Sequence, residues 1–273
     1  MNIIQKTVLA MSLLVVLPQA QAHRQWLLPS NTQIDAKEAW VTIDGAVSEN
    51  LFDFDSNALA LDNLEVVAPD GSQVKAETIT KSKFRGSADF KLLQKGTYKI
   101  SQNSQNVMAT YRLNGEEKRW RGAEEKMAQE IPAEATDIKV SRTYNRLETY
   151  VTADQPTDTV LKAVNQGLEL LPLSHPNNLY AQETTRFKVL LDGKPVADSK
   201  ISVIAGGVRY RGVLNEITAI SDKDGVISIK WPFAGMYWLK AAYPQLPEMV
   251  DGKRPAMPEK RYSYAATLEV LLP

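Results

Sequence analysis

Across 273 residues, 32 Lys and Arg balance 32 Asp and Glu, so the chain has no electrostatic case for nucleic acid or an anionic lipid surface as partner. It has no cysteine, which excludes a disulfide framework, thiolate metal sites and cysteine nucleophiles. A hydrophobic core must hold the fold alone.

The first 22 residues read as a cleavable secretory signal. Lys6 gives a basic start, Val8 to Leu17 an apolar stretch, and Pro18 breaks it before Ala20-Gln21-Ala22. The apolar stretch is ten residues long, well short of the roughly 20 needed to span a bilayer as a helix. Cleavage after Ala22 makes His23 the first residue of the mature protein. With no lipobox cysteine in that signal, the expected location is the periplasm, without lipid or membrane anchoring.

From His23 onward the apolar residues recur mostly with period two, between short turn signals. Strands are expected at Ala39–Ile43, Leu64–Val67, Gly96–Ile100, Val107–Tyr111 and Glu148–Thr152, with turns at Ala68-Pro69-Asp70-Gly71 and Leu113-Asn114-Gly115-Glu116. The dense charge run from Glu116 to Glu130 consists of good helix formers apart from Gly122 and predicts one or two short solvated helices.

After Ala153–Asp158 the pattern restarts. Thr185–Leu191, the turn Asp192-Gly193-Lys194-Pro195, Val196–Ile204, Ile217–Ile220, the turn Ser221–Gly225, Val226–Trp231 and Gly235–Ala241 spell out an immunoglobulin-like or transthyretin-like sandwich. The expected architecture is therefore all-β: two immunoglobulin-like or transthyretin-like β-sandwich domains with a short helical insertion in the first. The boundaries are 1–22 for the signal, 23–155 for the first domain, 156–170 for a linker or crossover strand, and 171–273 for the second domain.

Motifs for common chemistries are missing. Asp222-Lys223-Asp224-Gly225 opens like a calcium loop, but Phe233 stands where the closing glutamate would fall, so a turn is the better reading. Gly206-Gly207 lacks the lysine–serine pair of a phosphate cradle, and no Gly-x-Ser-x-Gly elbow exists. No catalytic residue is assigned.

The chain has only two histidines, His23 and His175. An N-terminal histidine offers an α-amine and a ring nitrogen, with ordinary pKa values of about 8 and about 6.5, so both can shed protons to a metal near neutral pH. Together with a ring nitrogen of His175 they would make a three-nitrogen brace suited to late first-row divalent ions. Asp53, Asp55 and Glu216 are candidate carboxylate neighbours for the second ring N–H of a ligating histidine. Trp26, Trp120 and Tyr210 are the aromatics expected at an exposed binding surface.

Several segments carry a family likeness over nearly the whole mature chain: His23–Ser30 (HRQWLLPS), Trp40–Gly45, Leu51–Asp55, Leu173–Tyr180 (LSHPNNLY), Leu191–Val196, Gly206–Arg211 and Gly235–Leu239. The chain resembles a secreted bacterial family of unknown function, otherwise described as a nickel/cobalt-uptake periplasmic component of NikM-like type. The resemblance implies two β-sandwiches and a link to divalent-metal uptake or handling, of Ni or Co with a membrane metal-uptake system as partner, and the brace adds Cu as a third candidate ion. It carries over only His23 and His175. Relatives often have a histidine after the LFDFD-like segment, and here Ser56 stands there. Two other functions stay open: an envelope protein that binds a protein or glycan through tandem sandwiches, and a copper oxidative enzyme.

Overall fold

The computed structural model describes residues 23–35, 39–247 and 255–273, so the expected signal at 1–22 lies outside the described residues. The first stretch of chain forms β1 (Arg24–Pro29), β2 (Gln33–Ile34), β3 (Ala39–Ser48), β4 (Asn57–Ala58), β5 (Leu64–Val67), β6 (Gln73–Val74), β7 (Thr78–Lys81) and β8 (Gly86–Leu92). The long strands β9 (Gly96–Leu113) and β11 (Thr136–Ala153) flank β10 (Glu116–Gly122) and the short helix α1 (Met127–Glu130). Then follow β12 (Leu168–Pro172), β13 (Thr184–Leu191), β14 (Lys194–Pro195), β15 (Lys200–Ala205), the one-turn helix α2 (Val208–Arg211), β16 (Ile217–Ile220), β17 (Val226–Lys230), β18 (Gly235–Tyr243) and β19 (Lys260–Val270). The protein is all-β, as the period-two pattern predicts.

The sandwiches share a wall. A ten-stranded sheet runs β16-β15-β18-β19-β11-β9-β5-β6, with β10 on β9 and β2 on β11. Its halves meet where β11 and β19 pair in parallel, from Arg142 opposite Lys260 to Thr149 opposite Thr267. A five-stranded sheet containing β1, β3, β8 and β7 packs on one face, and a four-stranded sheet of β12, β13, β14 and β17 serves the other.

Side-chain alternation sorts the two cores. Leu147, Val151, Trp238, Ala265 and Ile204 join Trp26, Val41, Ile43 and Phe90 in the first core. Their neighbours along the same strands, Tyr150, Leu239, Tyr264, Ala266 and Val203, join Phe187, Val189, Ile227 and Ile229 in the second. A strand covered on both faces loses the polar face of an ordinary half-exposed strand. Leu147 to Ala153 are accordingly all buried, as are Tyr264 to Leu268. The buried polar groups in these runs are partnered: Thr149 Oγ1 donates to the Thr267 carbonyl at 3.0 Å. Glu148 Oε2 accepts from the Tyr150 and Tyr264 hydroxyls at 3.1 and 2.7 Å. In the segment 156–170, Val160 and Leu161 sit in a single 3-10 turn and pack into the second core.

The charge run 116–130 divides in two, which corrects the helical expectation for its first half. Asn114 and Gly115, with φ of 53° and 81°, form a two-residue turn, the geometry that closes a β-hairpin. Glu116–Gly122 then pairs with Val107–Leu113 as a strand. Strand pairing wins because alternation places Trp120 on Val107, Ala109 and Ile131, a small third core. Only residues 124–130 are helical.

Two expected surface aromatics are interior. Trp26 is fully buried and donates from Nε1 to Ser48 Oγ at 2.8 Å, and Trp120 is buried with its Nε1 on Glu130 Oε2 at 2.8 Å. Tyr210 alone of the three is exposed.

Candidate functional site

The first core does not cover the whole face of the central sheet on which it sits. Beyond Trp238 and Ala265, that face continues as Lys240 on β18, Arg261 and Ser263 on β19, and Thr143 and Asn145 on β11. The chain enters the fold over this uncovered patch. His23 and Arg24, at the start of β1, close one side of a cleft of about 190 Å³ with these residues. His23 itself is exposed.

The cleft is cationic. Burial first, and then the neighbouring charges of Arg261 and Arg24, hold the Lys240 ammonium below the ordinary lysine range, while Glu216 acts in the opposite sense. Burial likewise lowers Arg261 and Arg24, with Glu216 raising Arg24. Lys240 lies 5.9 Å from the centre of the Trp238 ring and Arg24 6.0 Å from it. The Arg24 guanidinium also donates to the Glu49 carbonyl at 2.8 Å.

His175 lies elsewhere. Its Nδ1 accepts the Asn177 backbone N–H at 3.2 Å and its Nε2 is 2.9 Å from Thr97 Oγ1, which assigns the ring proton to Nε2. Thr97 Oγ1 also reaches Thr152 Oγ1 at 3.0 Å, and Thr152 donates to Asn177 Oδ1 at 3.0 Å. Burial lowers the His175 pKa, against a backbone contact to Thr157 and the charge of Asp158. Both ring nitrogens are therefore occupied within the protein.

The structure does not bring the two histidines together. From His23 the chain passes through β1 to Thr32 and Gln33, which reach Thr152 and Asn177 beside His175. His23 lines a cleft with Thr143 and Asn145, toward the other end of β11. Seven residues of extended strand from Asn145 to Thr152 span about 23 Å at about 3.3 Å each, far beyond the reach of one shared ion. The brace expected from His23 and His175 is therefore not assembled.

The three candidate carboxylates also separate. Asp55 organises its own loop, accepting from the Glu49 and Asn50 backbone N–H groups, each at 3.0 Å. Burial opposes ionisation there, but these bonds and those from Ser56 and Asn50 win, and the carboxyl stays below its ordinary pKa. Asp53 is partly buried between Phe52 and Phe54, whose rings pack on Trp26 at 5.5 and 5.3 Å. Glu216 is exposed and is felt by the basic cleft. No cluster of three or more His, Asp or Glu able to hold a metal occurs among the described residues.

A domain-family model described as "Domain of unknown function (DUF4198)" matches residues 20–245. The chain belongs to this family. A search of curated proteins finds no match. Among solved structures, the D0-D1 domain of intimin is 12% identical, with 90% of this chain and 97% of that chain covered and a TM-score of 0.22. The D00-D0 domain of intimin is 10% identical, with 91% and 100% covered and a TM-score of 0.20. Scores this low support no statement about function, and the fold of this DUF4198 member rests on its own strands.

A second, larger groove of about 550 Å³ borders Tyr144, Tyr262, Asn103, Gln105, Gln166 and Asp192. The two tyrosine rings stack at 5.4 Å with planes 24° apart. Sequence reading missed both this groove and the basic cleft. Lys240 could have been suspected, since it breaks the apolar alternation of Met236, Trp238 and Ala242 in its strand, whereas Arg261 shares its face with Ser263, Thr267 and Glu269 and gives no such signal. No helix among the described residues is long and apolar enough to cross a membrane.

Proposed function

We propose that this is a periplasmic binding protein that takes up a divalent transition-metal ion, Ni, Co or Cu, at its mature N-terminus and passes it to a membrane metal-uptake system. The observation that supports the reading is that His23, the expected first residue after signal cleavage, is exposed and lines a cleft, so that an amine freed by cleavage and the ring would be open to one ion. The protein supplies this chelate alone, so the remaining ligands come from solution. His175 takes no part, because its ring nitrogens serve Thr97 and Asn177.

Calorimetric titration of Ni(II) and Cu(II) into the mature protein tests this. His23→Ala, or one extra residue before His23, should weaken binding at least tenfold, whereas His175→Ala should leave it unchanged. Equal affinity in wild type and both His23 variants rejects the reading.

The larger groove favours a second function, recognition of an envelope glycan. Stacked Tyr144 and Tyr262 beside the amides of Asn103, Gln105 and Gln166 present an aromatic face next to fixed hydrogen-bonding groups, the composition of a site that orients a polar ring. Glycan-array binding that is lost in Tyr262→Ala would support it, and no glycan binding would remove it.

A further inference from the structure

The basic cleft poses a question that metal chelation at His23 leaves unanswered. Four cations line this partly buried surface; Arg146 is paired with Glu169 at 3.7 Å and Glu148 at 4.0 Å, whereas Arg24, Lys240 and Arg261 form no ion pair with a carboxylate within 4.0 Å among the described residues. Arg24 at least has the Glu49 carbonyl. The Lys240 ammonium makes no hydrogen bond among the described residues, and its neighbours are the Trp238 ring and two more positive charges. Arg261 Nε is buried without a hydrogen-bond partner.

This arrangement is costly in the free protein. Like charges repel more strongly away from bulk water, and a buried donor without an acceptor loses its hydration with nothing in exchange. The neighbouring side chains offset little of it: Thr143, Asn145 and Ser263 are neutral, and Glu216, which opposes the effect of burial on Lys240 and Arg24, is exposed and the smallest influence on each. An anion inside the cleft would turn each unfavourable term into a favourable one, through charge-assisted hydrogen bonds to Lys240 and Arg261 and neutral ones to the hydroxyls and amide.

The spread of charge sets the ligand class. Lys240 and Arg261 also line a second cleft of about 220 Å³ with Lys200 and Ser202, so the pair belongs to both clefts, with Arg24 added in one and Lys200 in the other. Cations distributed over two clefts match a ligand whose negative charges are spread along a short chain rather than a single compact anion.

We propose that the cleft binds a small organic polyanion of the di- or tricarboxylate class, anchored by Lys240 and Arg261 with Arg24 adding its charge. The site does not depend on metal binding at His23, although a metal ion chelated by such a carboxylate would reach both.

The test is calorimetric titration of metal-free mature protein, at low ionic strength and pH 7, with citrate, succinate, inorganic phosphate and acetate in separate arms. Citrate or succinate should bind at least tenfold more tightly than phosphate or acetate. Lys240→Met and Arg261→Met, which keep the apolar stems, should each weaken that binding at least tenfold. Removal of an unpaired cation should raise the melting temperature of Lys240→Met in buffer, so loss of binding is separable from loss of folding. Citrate should raise the melting temperature of the wild type and not of the variant. Phosphate binding equal to or above citrate, no binding in any arm, or unchanged citrate affinity in both variants would overturn the proposal. Metal titration of the same variants keeps this outcome distinct from the His23 reading.

Discussion

His175 Nε2 lies 2.9 Å from Thr97 Oγ1 while its Nδ1 accepts the Asn177 N–H, so a neutral ring ties the segment after β12 to the ends of β9 and β11. Burial lowers its pKa in the folded protein. Lowered folded pKa means that the unfolded chain binds the proton more readily. The stability it contributes is present above the ordinary imidazole value of about 6.5 and is lost as pH falls below it. His175→Ala should cost about 1–2 kcal/mol at pH 7.5 and flatten the fall in stability between pH 7.5 and 5.5. Urea midpoints at three pH values check this, and an unchanged slope in the variant would contradict the assignment.

Glu148 joins Tyr150 and Tyr264 in the shared wall, accepting from both phenols on one oxygen. Burial, and then the Glu148 charge, push both tyrosines well above their ordinary pKa. The stability from keeping them neutral is complete below about pH 10 and is lost as pH rises toward the raised folded values. In an alkaline absorbance titration, two of the ten tyrosines should ionise only as the protein unfolds. Tyr264→Phe should destabilise by about 1.5–3 kcal/mol, the usual value of a hydrogen bond to a charged group. A variant as stable as wild type would show the carboxylate to be satisfied without it.

Gly86 stands where β8 meets the chain after β4, and a Cβ there would lie 2.1 Å from the Leu59 carbonyl oxygen. The obstacle is backbone, which cannot rotate aside. Gly86→Ala is therefore expected to destabilise by about 1–3 kcal/mol, read from the urea midpoint, with the chain at 59–61 losing protection from hydrogen exchange. Wild-type stability would mean that this segment shifts freely.

Trp120 holds the third core together from β10, through Val107, Ala109 and Ile131 and its bond to Glu130. This cluster is separate from the two main cores. Trp120→Ala should raise hydrogen exchange across residues 107–131 while exchange in Leu147–Ala153 stays slow, the pattern of local opening. Equal loss of protection in both regions would show that the outer hairpin is part of the global folding unit.

The strand pattern was legible because alternation and turn chemistry are local. Asn114-Gly115 and Asp192-Gly193 occupy the positive-φ positions of their turns, and Asp222 accepts from the Asp224 and Val226 N–H groups at 2.9 Å as the tip of a turn rather than a calcium loop. The same locality misled where two patterns competed. Glu116–Gly122 has helix-forming composition, yet the turn before it fixed a hairpin register that buried Trp120.

What the sequence determined by itself is the all-β class, its turns, and the rarity of metal-ligating side chains: two histidines and no cysteine. What only the tertiary structure decided is which residues meet. The parallel pairing of β11 with β19 joins segments more than a hundred residues apart, and the strand it places in the middle of the wall is buried on both faces, so that Glu148 is interior although its neighbours Leu147 and Thr149 occupy the opposite face. Tertiary packing also puts His23 in the lining of one cleft with Lys240 and Arg261, while the chain after β1 pairs with β11 at Thr152, on the side where His175 lies. Side-chain alternation tells which face of a strand a residue occupies; it carries no information about what covers that face, and here one end of a single face is covered by an apolar core while the other is left open as a basic cleft.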